Sequence, residues 1–367
     1  MHSNTTQMLN INGSYGEGGG QIVRTALALS TLTGIPFSIT NIRKARPQPG
    51  LKAQHLHCIK ALKQLCNARA ENASLGSTEL TFYPGKIQSK TLSIDIGTAG
   101  SISLLLQSIL LPSMFAPGKV RLRIKGGTAG KWAMPFEYFM HVLVPTISLY
   151  AEIEPKLIRR GYYPKGSGFV DIKITPLYSI SEFDSFEHFL AYMQQNAQKI
   201  NLTEQGKLIA IRGISHASSD LQKNNVAERQ AKSAKQTLSS LDCPIKIDVE
   251  YSDTLSTGSG ITLWAIFEHN GKNYFLGSDA LGERSKRAEA VGKEAAEKLL
   301  FEINSKACAD QHLADNLVPF LIFGGSVKTS VITEHCRTNV WVCNQFIPNA
   351  LKIEDKSKTI TFIKTHK

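Results

Sequence analysis

No two cysteines of this chain lie close enough to form a CxxC pair. The six, Cys58, Cys66, Cys243, Cys308, Cys336 and Cys343, suit neither a zinc site nor a disulfide framework. A reducing cytoplasm is the compartment that fits them. Long apolar runs are lacking too. The longest, around Ile102–Leu111, is interrupted by Ser103, Gln107 and Ser108 and is too short to span a bilayer. The opening stretch, MHSNTTQMLNINGSYGEGGG, has no apolar core of signal-peptide length, so no membrane partner is expected, and its first seven residues read as a disordered leader. The common nucleotide-binding motifs are also missing. GSYGEGGGQIVR, Gly13–Arg24, is neither GxxxxGK[ST] nor GxGxxG. At Gly126–Lys131 the glycines stand one residue too close, and Trp132 occupies the place that needs Ser or Thr. Acidic residues are in deficit, 30 against 42 Lys and Arg, which leaves a net charge of +12. Such an excess favours a polyanionic partner through counterion release, although a basic balance also occurs without one.

What is present is a 367-residue chain, 42% apolar and 20% charged, with the composition of a soluble globular protein and the length for one large domain plus a smaller one, or for two medium domains. Its first half uses one pattern twice. The strand Leu9–Tyr15 meets the glycine cluster Gly16–Gly20, then the apolar-periodic helix Gln21–Leu32, a β-rich Ile35–Ile42, a helix Lys52–Leu65 and a strand Glu79–Tyr83. The second round runs through strand Thr91–Ile96, a small-residue turn, helix Ile102–Leu111, strand Lys119–Ile124, helix Pro135–Tyr150 and strand Phe169–Thr175. Residues 180–207 are polar and aromatic without a clear period. A separate α/β unit follows to about Asn304, ending in the helix Ala288–Ile303, whose Ala, Glu, Lys and Leu content needs no functional explanation. A third copy then reads as helix Ala314–Phe323, strand Val327–Ile332, helix Thr338–Phe346 and two closing strands. The expected fold is α/β (α+β): three repeated βαβαββ-type units forming one large domain over residues 8–184 and 306–367, with a smaller α/β domain inserted at 185–305.

Four segments carry chemistry. The glycine turn before the first helix presents backbone N–H groups at the positive end of a helix dipole, which suits an anion, although it also serves as a tight connection. Glu17 within it is a carboxylate of the kind that holds a divalent metal or pairs with Arg. IRKARPQPGLKAQH, Ile42–His55, sets Arg43, Lys44, Arg46 and Lys52 around a proline-interrupted loop, either a solvated basic face or a clamp on phosphates. RRGYYPKGSGFV, Arg159–Val170, interleaves charge, aromatics and glycine, as a phosphate-and-base surface or an ordinary hairpin would. VITEHCRTNV, Val331–Val340, sets His335 at the end of the expected strand beside Thr333, Arg337, Thr338 and Asn339. A lone histidine is more often structural than catalytic, but one oriented by a neighbour can act as a covalent nucleophile.

In order and spacing, GEGGGQ, RGYYPKGSG, LADN and TEHCRTN resemble the RNA 3′-terminal phosphate cyclases, from about Asn10 to Thr361. RGYYPKGSG is the most specific of them, with Ser167 where the family pattern has the middle of three glycines. The resemblance implies the three-repeat domain with an insert, and a reaction in three steps. His335 attacks the ATP α-phosphate, the adenylyl group passes to an RNA 3′-phosphate, and the vicinal 2′-hydroxyl closes the 2′,3′-cyclic ester and expels AMP. It further implies an ATP pocket at Gln107 and the run His312, Leu313, Ala314, Asp315, Asn316, with Pro135 and Phe136 as adenine walls. Mg²⁺ or Mn²⁺ would sit at Glu17, and phosphates of ATP or the RNA end at Arg24, Arg43, Arg46 and Gln54. His312 and Asn316 replace a Tyr and a Gln of the bacterial pattern. The partners implied are ATP and RNA with a 3′-phosphate end, for a monomer or homodimer. A non-catalytic ribosome-assembly branch lacks the nucleophilic histidine, so His335 argues for an enzyme. An enolpyruvyl transferase would leave the histidine segment unexplained, and a general RNA-binding module needs only the charge. The geometric expectation is that His335, Glu17 and Gln107 converge on one cleft with Arg43 and Arg46 at its mouth.

Overall fold

A computed structural model describes residues 8–363; the leader expected over the first seven residues lies outside the described residues. β1 (Leu9–Asn12) leads through the glycine turn into α1 (Gly20–Thr33). Gln21 to Thr33 of α1 are all buried, which its run of Ile, Val, Leu, Ala and Thr permits. Gly34 ends the helix at φ 75°, a left-handed conformation that costs glycine little. β2 (Phe37–Thr40), α2 (Ala53–Cys66), β3 (Arg69–Glu71) and β4 (Leu80–Tyr83) complete a sheet of order β1-β2-β4-β3. Its β1–β2 pair is parallel and the others are antiparallel.

The next sheet repeats that arrangement. It uses β5 (Thr91–Asp95), α3 (Ile102–Ser113), β6 (Val120–Gly126) and α4 (Phe136–Tyr138). A π-helical turn, Phe139–Leu143, runs on into α5 (Val144–Ile147), followed by β7 (Ala151–Arg159) and β8 (Gly168–Pro176). Its order is β5-β6-β8-β7, with β5–β6 parallel and the rest antiparallel. The sequence VRLRIKG of β6 alternates buried and outward residues, as a sheet with one covered face requires.

The third sheet is interrupted. α6 (Phe186–Asn196) and β9 (Ile200–Leu202) come first. The chain then leaves to build β10 (Lys207–Ser218), α7 (Val226–Thr237), β11 (Ile245–Ser252), β12 (Ser259–His269), β13 (Lys272–Leu281) and α8 (Ala288–Asn304). These strands form a sheet of a different order, β11-β10-β12-β13, over a core of their own. The chain returns through α9 (Gln311–Leu317), a 3-10 segment Val318–Phe323, β14 (Gly325–Lys328), α10 (Glu334–Phe346), β15 (Leu351–Glu354) and β16 (Thr359–Phe362). β14 pairs in parallel with β9 and antiparallel with β16, giving the order β15-β16-β14-β9. α6 packs on the 3-10 segment. Residues 186–202, read with the insert from the sequence, therefore belong to the third sheet, and the inserted sheet begins at Lys207. A three-residue strand has no readable period, and its partner lies beyond the whole insert.

α1 is the hub of the helical layer, packing against α2, α3 and α10. The second and third sheets meet on an aromatic cluster, with Phe323 at ring-centroid distances of 4.9 Å from Phe115, 5.5 Å from Tyr150 and 6.0 Å from Phe189. Gln21 and Arg24 near the start of α1 thus share one lining with Gln107 in the middle of α3, with Asp315 and Asn316 of α9 and with His335 at the start of α10.

Candidate active site

His335 lies in the first turn of α10, with its side chain exposed, and not at a strand end: β14 stops at Lys328 and the helix begins at Glu334. The reason is local. Thr333 is the N-cap, its hydroxyl accepting from the Cys336 N–H at 2.9 Å and donating to Asp315 Oδ1. A second set of bonds fixes the helix laterally. Thr25 of α1 donates to Asn339 Oδ1 at 2.7 Å, and Asn339 Nδ2 donates to the Asp315 carbonyl at 2.8 Å. Three elements from opposite ends of the chain thus hold the histidine at a helix N-terminus, where the backbone favours an approaching anion. Arg337, its sequence neighbour, turns away to Glu334 and Asp355.

A cleft of about 480 Å³ opens in front of His335. Arg24, Gln107, His312, Asp315 and Asn316 line it. Arg24 Nε donates to Gln107 Oε1 at 2.8 Å, and Gln107 Nε2 donates to Asn316 Oδ1 at 3.2 Å, a chain of side-chain bonds across α1, α3 and α9. Burial brings the Arg24 guanidinium down to about 10, and Arg43 adds to the effect. Among the described residues no carboxylate pairs with it, so the site holds a cation in want of an anion. Burial pushes the Asp315 carboxyl up, while hydrogen bonds from Cys336 and Thr333 and the nearby His335 and His312 pull it back. Behind Gln107 and Asn316 the cleft continues into a narrow recess of about 30 Å³ walled by Leu106, Leu110, Met134, Leu143 and Phe320.

The other expected site residues lie elsewhere. Leu313 and Ala314 are fully buried on the inner side of α9. Phe136 is likewise buried, against Phe139, and Pro135 caps α4; neither lines the cleft. Glu17 stays in the glycine turn, outside the cleft lining, with its carboxylate 3.0 Å from Arg46. That turn abuts α10: Tyr15 stacks on Trp341 at 4.0 Å, and a Cβ on Gly16 would come within 3.0 Å of Thr338 Oγ1. Gln54 ties α2 to the turn before α3, donating to the Ser101 carbonyl at 3.1 Å. Arg43 donates to the Gln48 carbonyl. Burial and then Arg24, Arg43 and Lys52 press the imidazole of His55 down to about 3, so these cations form one cluster. Gly20 at the start of α1 sits against that imidazole, where a Cβ would meet Nε2 at 2.1 Å.

RGYYPKGSG is less of a surface than its composition indicates. Arg160 is 3% exposed and bonded to Glu137 of α4 and Glu250 of the insert. Tyr162 is buried and hydrogen-bonded through its hydroxyl to His216 Nδ1 at 2.7 Å. The segment clamps the insert to the body, with Ser167 at φ 61° in the left-handed region that a glycine enters more readily. The insert in turn supplies a wall of the cleft: Asp279, Glu283, Lys286, Glu294 and Lys298 all line it. Glu294 and Lys298 sit on α8, the helix whose sequence asked for no function. An i,i+4 ion pair of this sort is the ordinary furniture of an exposed helix, so periodicity carries no signal for it.

The model of the family "RNA 3′-terminal phosphate cyclase" matches residues 15–353. A Pyrococcus furiosus protein named RNA 3′-terminal phosphate cyclase is 45% identical over 349 residues, covering 95% of each chain. Proteins of the same name from Archaeoglobus fulgidus and Methanopyrus kandleri are 41% and 38% identical, covering 95% of this chain and 98% and 96% of theirs.

Proposed function

Because this chain belongs to the RNA 3′-terminal phosphate cyclase family, we propose that it is an ATP-dependent enzyme that converts an RNA 3′-phosphate into a 2′,3′-cyclic phosphodiester through His335. The observation that carries this reading is an exposed histidine, capped into the first turn of α10, facing a cleft shared with Arg24, Gln107, Asp315 and Asn316. In the first step a ring nitrogen of His335 bonds to the ATP α-phosphorus as the bond to the pyrophosphate oxygen breaks. The N-terminal end of α10 and the unpaired Arg24 favour the negative charge that develops. In the second step an RNA 3′-phosphate oxygen takes the adenylyl group and frees the histidine. In the third the 2′-hydroxyl attacks the 3′-phosphorus, AMP leaves and the hydroxyl proton is released. The last attack is intramolecular and draws on a high effective concentration.

The cleft itself sets apolar Leu104 and Met134 beside Gln107, His312 and Asn316, the mix of apolar walls and a few polar groups that suits an adenine ring. His312 is at the edge of Tyr138, centroids 6.5 Å apart, and is available to stack or donate. The cluster Arg24, Arg43, Arg46 and Lys52, next to the N-terminus of α1, is suited to the phosphates of ATP or of the RNA end. Among the described residues no three metal-binding side chains cluster. A Mg²⁺ or Mn²⁺ ion would take Glu17 as its protein carboxylate and draw its remaining ligands from phosphates and water, the usual manner for Mg²⁺. When bound, it offsets phosphate charge. The six cysteines are free, five of them buried, which suits the cytoplasm.

The test uses ATP labelled at the α-phosphate. The enzyme takes up an acid-labile, alkali-stable label, and H335A takes up none. With a 3′-phosphorylated oligoribonucleotide the wild type makes the end phosphatase-resistant. Normal labelling of H335A would refute the role given to this histidine, and a wild type that neither labels nor cyclises would refute the reading as a whole.

A further inference from the structure

Trp132 is the most exposed large apolar side chain of those exposed among the described residues, at 94% of its full accessibility. The chain's two other tryptophans are covered: Trp264 is 8% exposed and Trp341 is stacked on Tyr15. Its backbone is unusual as well. φ is 69°, in the left-handed region, which a bulky residue enters rarely and only where its surroundings hold it there. The holding is visible: a bridge between Gly130 and Ala133 closes a tight turn with Lys131 and Trp132 at its tip, and Lys131 Nζ is anchored at 3.0 Å on Glu283 of the insert. The turn lines the same cleft as His335. A strained backbone thus holds the largest apolar side chain out into water at the rim of the site.

The charge around it defines what the ring can take. On this rim Lys131 is matched by Glu283, Lys286 and Lys298 both pair with Glu294, and Asp279 beside them brings the carboxylates to three against three lysines. The unmatched cation of the cleft, Arg24, lies in its lining on α1, beside Arg43. The rim therefore offers a π-face and no spare charge, a surface for a base, while phosphates are drawn to the other side. A mononucleotide base is normally enclosed on most of its surface, which an open ring does not do. A base carried on a longer strand needs only a platform.

Resting on the function proposed above, we infer that Trp132 is the stacking platform for a nucleobase near the 3′ end of single-stranded RNA, and that by binding a π-face it lets the enzyme accept any base there. The experiment measures binding of a fluorescent 3′-phosphorylated oligoribonucleotide by anisotropy at one fixed salt concentration, with wild type, W132A and W132F, alongside AMP labelling without RNA. Loss of one base–aromatic stack weakens binding by roughly ten- to a hundred-fold, so W132A is expected to raise the RNA Kd by that factor and W132F to restore most of it. The ATP concentration for half-maximal labelling should shift far less than the RNA Kd. An oligonucleotide abasic at the stacked position should bind wild type as poorly as W132A binds the intact strand, with no further loss in W132A. Equal RNA affinity in wild type and W132A would overturn the inference. A loss in ATP labelling as large as the loss in RNA binding would also overturn it, by assigning the ring to the adenine of ATP. Both outcomes presuppose a wild type that labels and cyclises, so failure of the cyclase reading is seen separately.

Discussion

Replacing Thr333 by Ala tests whether the cap of α10 is what presents His335. The hydroxyl serves two partners: it accepts from the Cys336 N–H at 2.9 Å and donates to the buried Asp315 carboxyl. Losing a Thr N-cap costs about 1 kcal/mol, and leaving a buried acceptor short of a donor adds about 1–3 kcal/mol. A chain of this size does not unfold in one step, so the measurement must be local. Amide exchange over the peptide from Val331 to Val340 reports opening of that turn. A local stability lower by about 2–4 kcal/mol speeds exchange at Cys336 by roughly 30- to 700-fold. AMP labelling should fall by at least tenfold as the imidazole loses its fixed orientation. Thr333→Ser keeps the hydroxyl and should recover both. Exchange within twofold of wild type in the Ala variant would refute the account, because the first turn would then hold without its cap.

Two further perturbations test the frame behind the site. Glu302 is buried beside Asp310, and burial first, then that neighbour, raises its carboxyl to about 7. The folded protein thus keeps a proton that the unfolded chain has lost, so this group's contribution to stability is fully present below the ordinary Glu range and disappears as pH rises through about 7. Thermal melts between pH 5 and 8 should show a shallower fall for Glu302→Gln, with the part due to Asp279, raised to about 6, remaining; an unchanged slope refutes it. Phe323→Ala opens the aromatic cluster between the second and third sheets and should cost about 3–5 kcal/mol, read as a clear drop in melting temperature, whereas a drop of only a degree or two would mean that the two sheets do not depend on that contact.

Much of this frame was legible in the residues. The long apolar stretches of α1, α2 and α3 carry a helical period, and β2, β5, β6 and β8 show their β-rich runs, so these elements are found within a few residues of their expected ends. The start of α10 was not, because its first turn, Glu-His-Cys-Arg, is polar and its buried residues begin only with Cys336; the Thr333 cap was the available signal. β9 was invisible for its brevity, and α6 because only three of its residues are buried. Of the candidate site, His335, Gln107, His312, Asp315, Asn316 and Arg24 meet in one cleft, while Leu313, Ala314, Pro135 and Phe136 lie outside its lining. A contiguous run such as HLADN must turn part of itself inward once it is helical, and only the 3.6-residue period decides which part. The charged wall from the insert was hidden because ion pairs on a solvated helix look alike wherever they face.

The split third sheet bears on the order of assembly. β9 leaves the ribosome before the insert and its parallel partner β14 after it. The inserted sheet has a core of its own and can fold between those two events. Once folded it draws the ends of its segment together and lowers the entropy of the long closure that β9 and β14 must make. The strands β14, β15 and β16 and the helix bearing His335 then arrive last, so the cleft lacks that histidine until α10 has emerged.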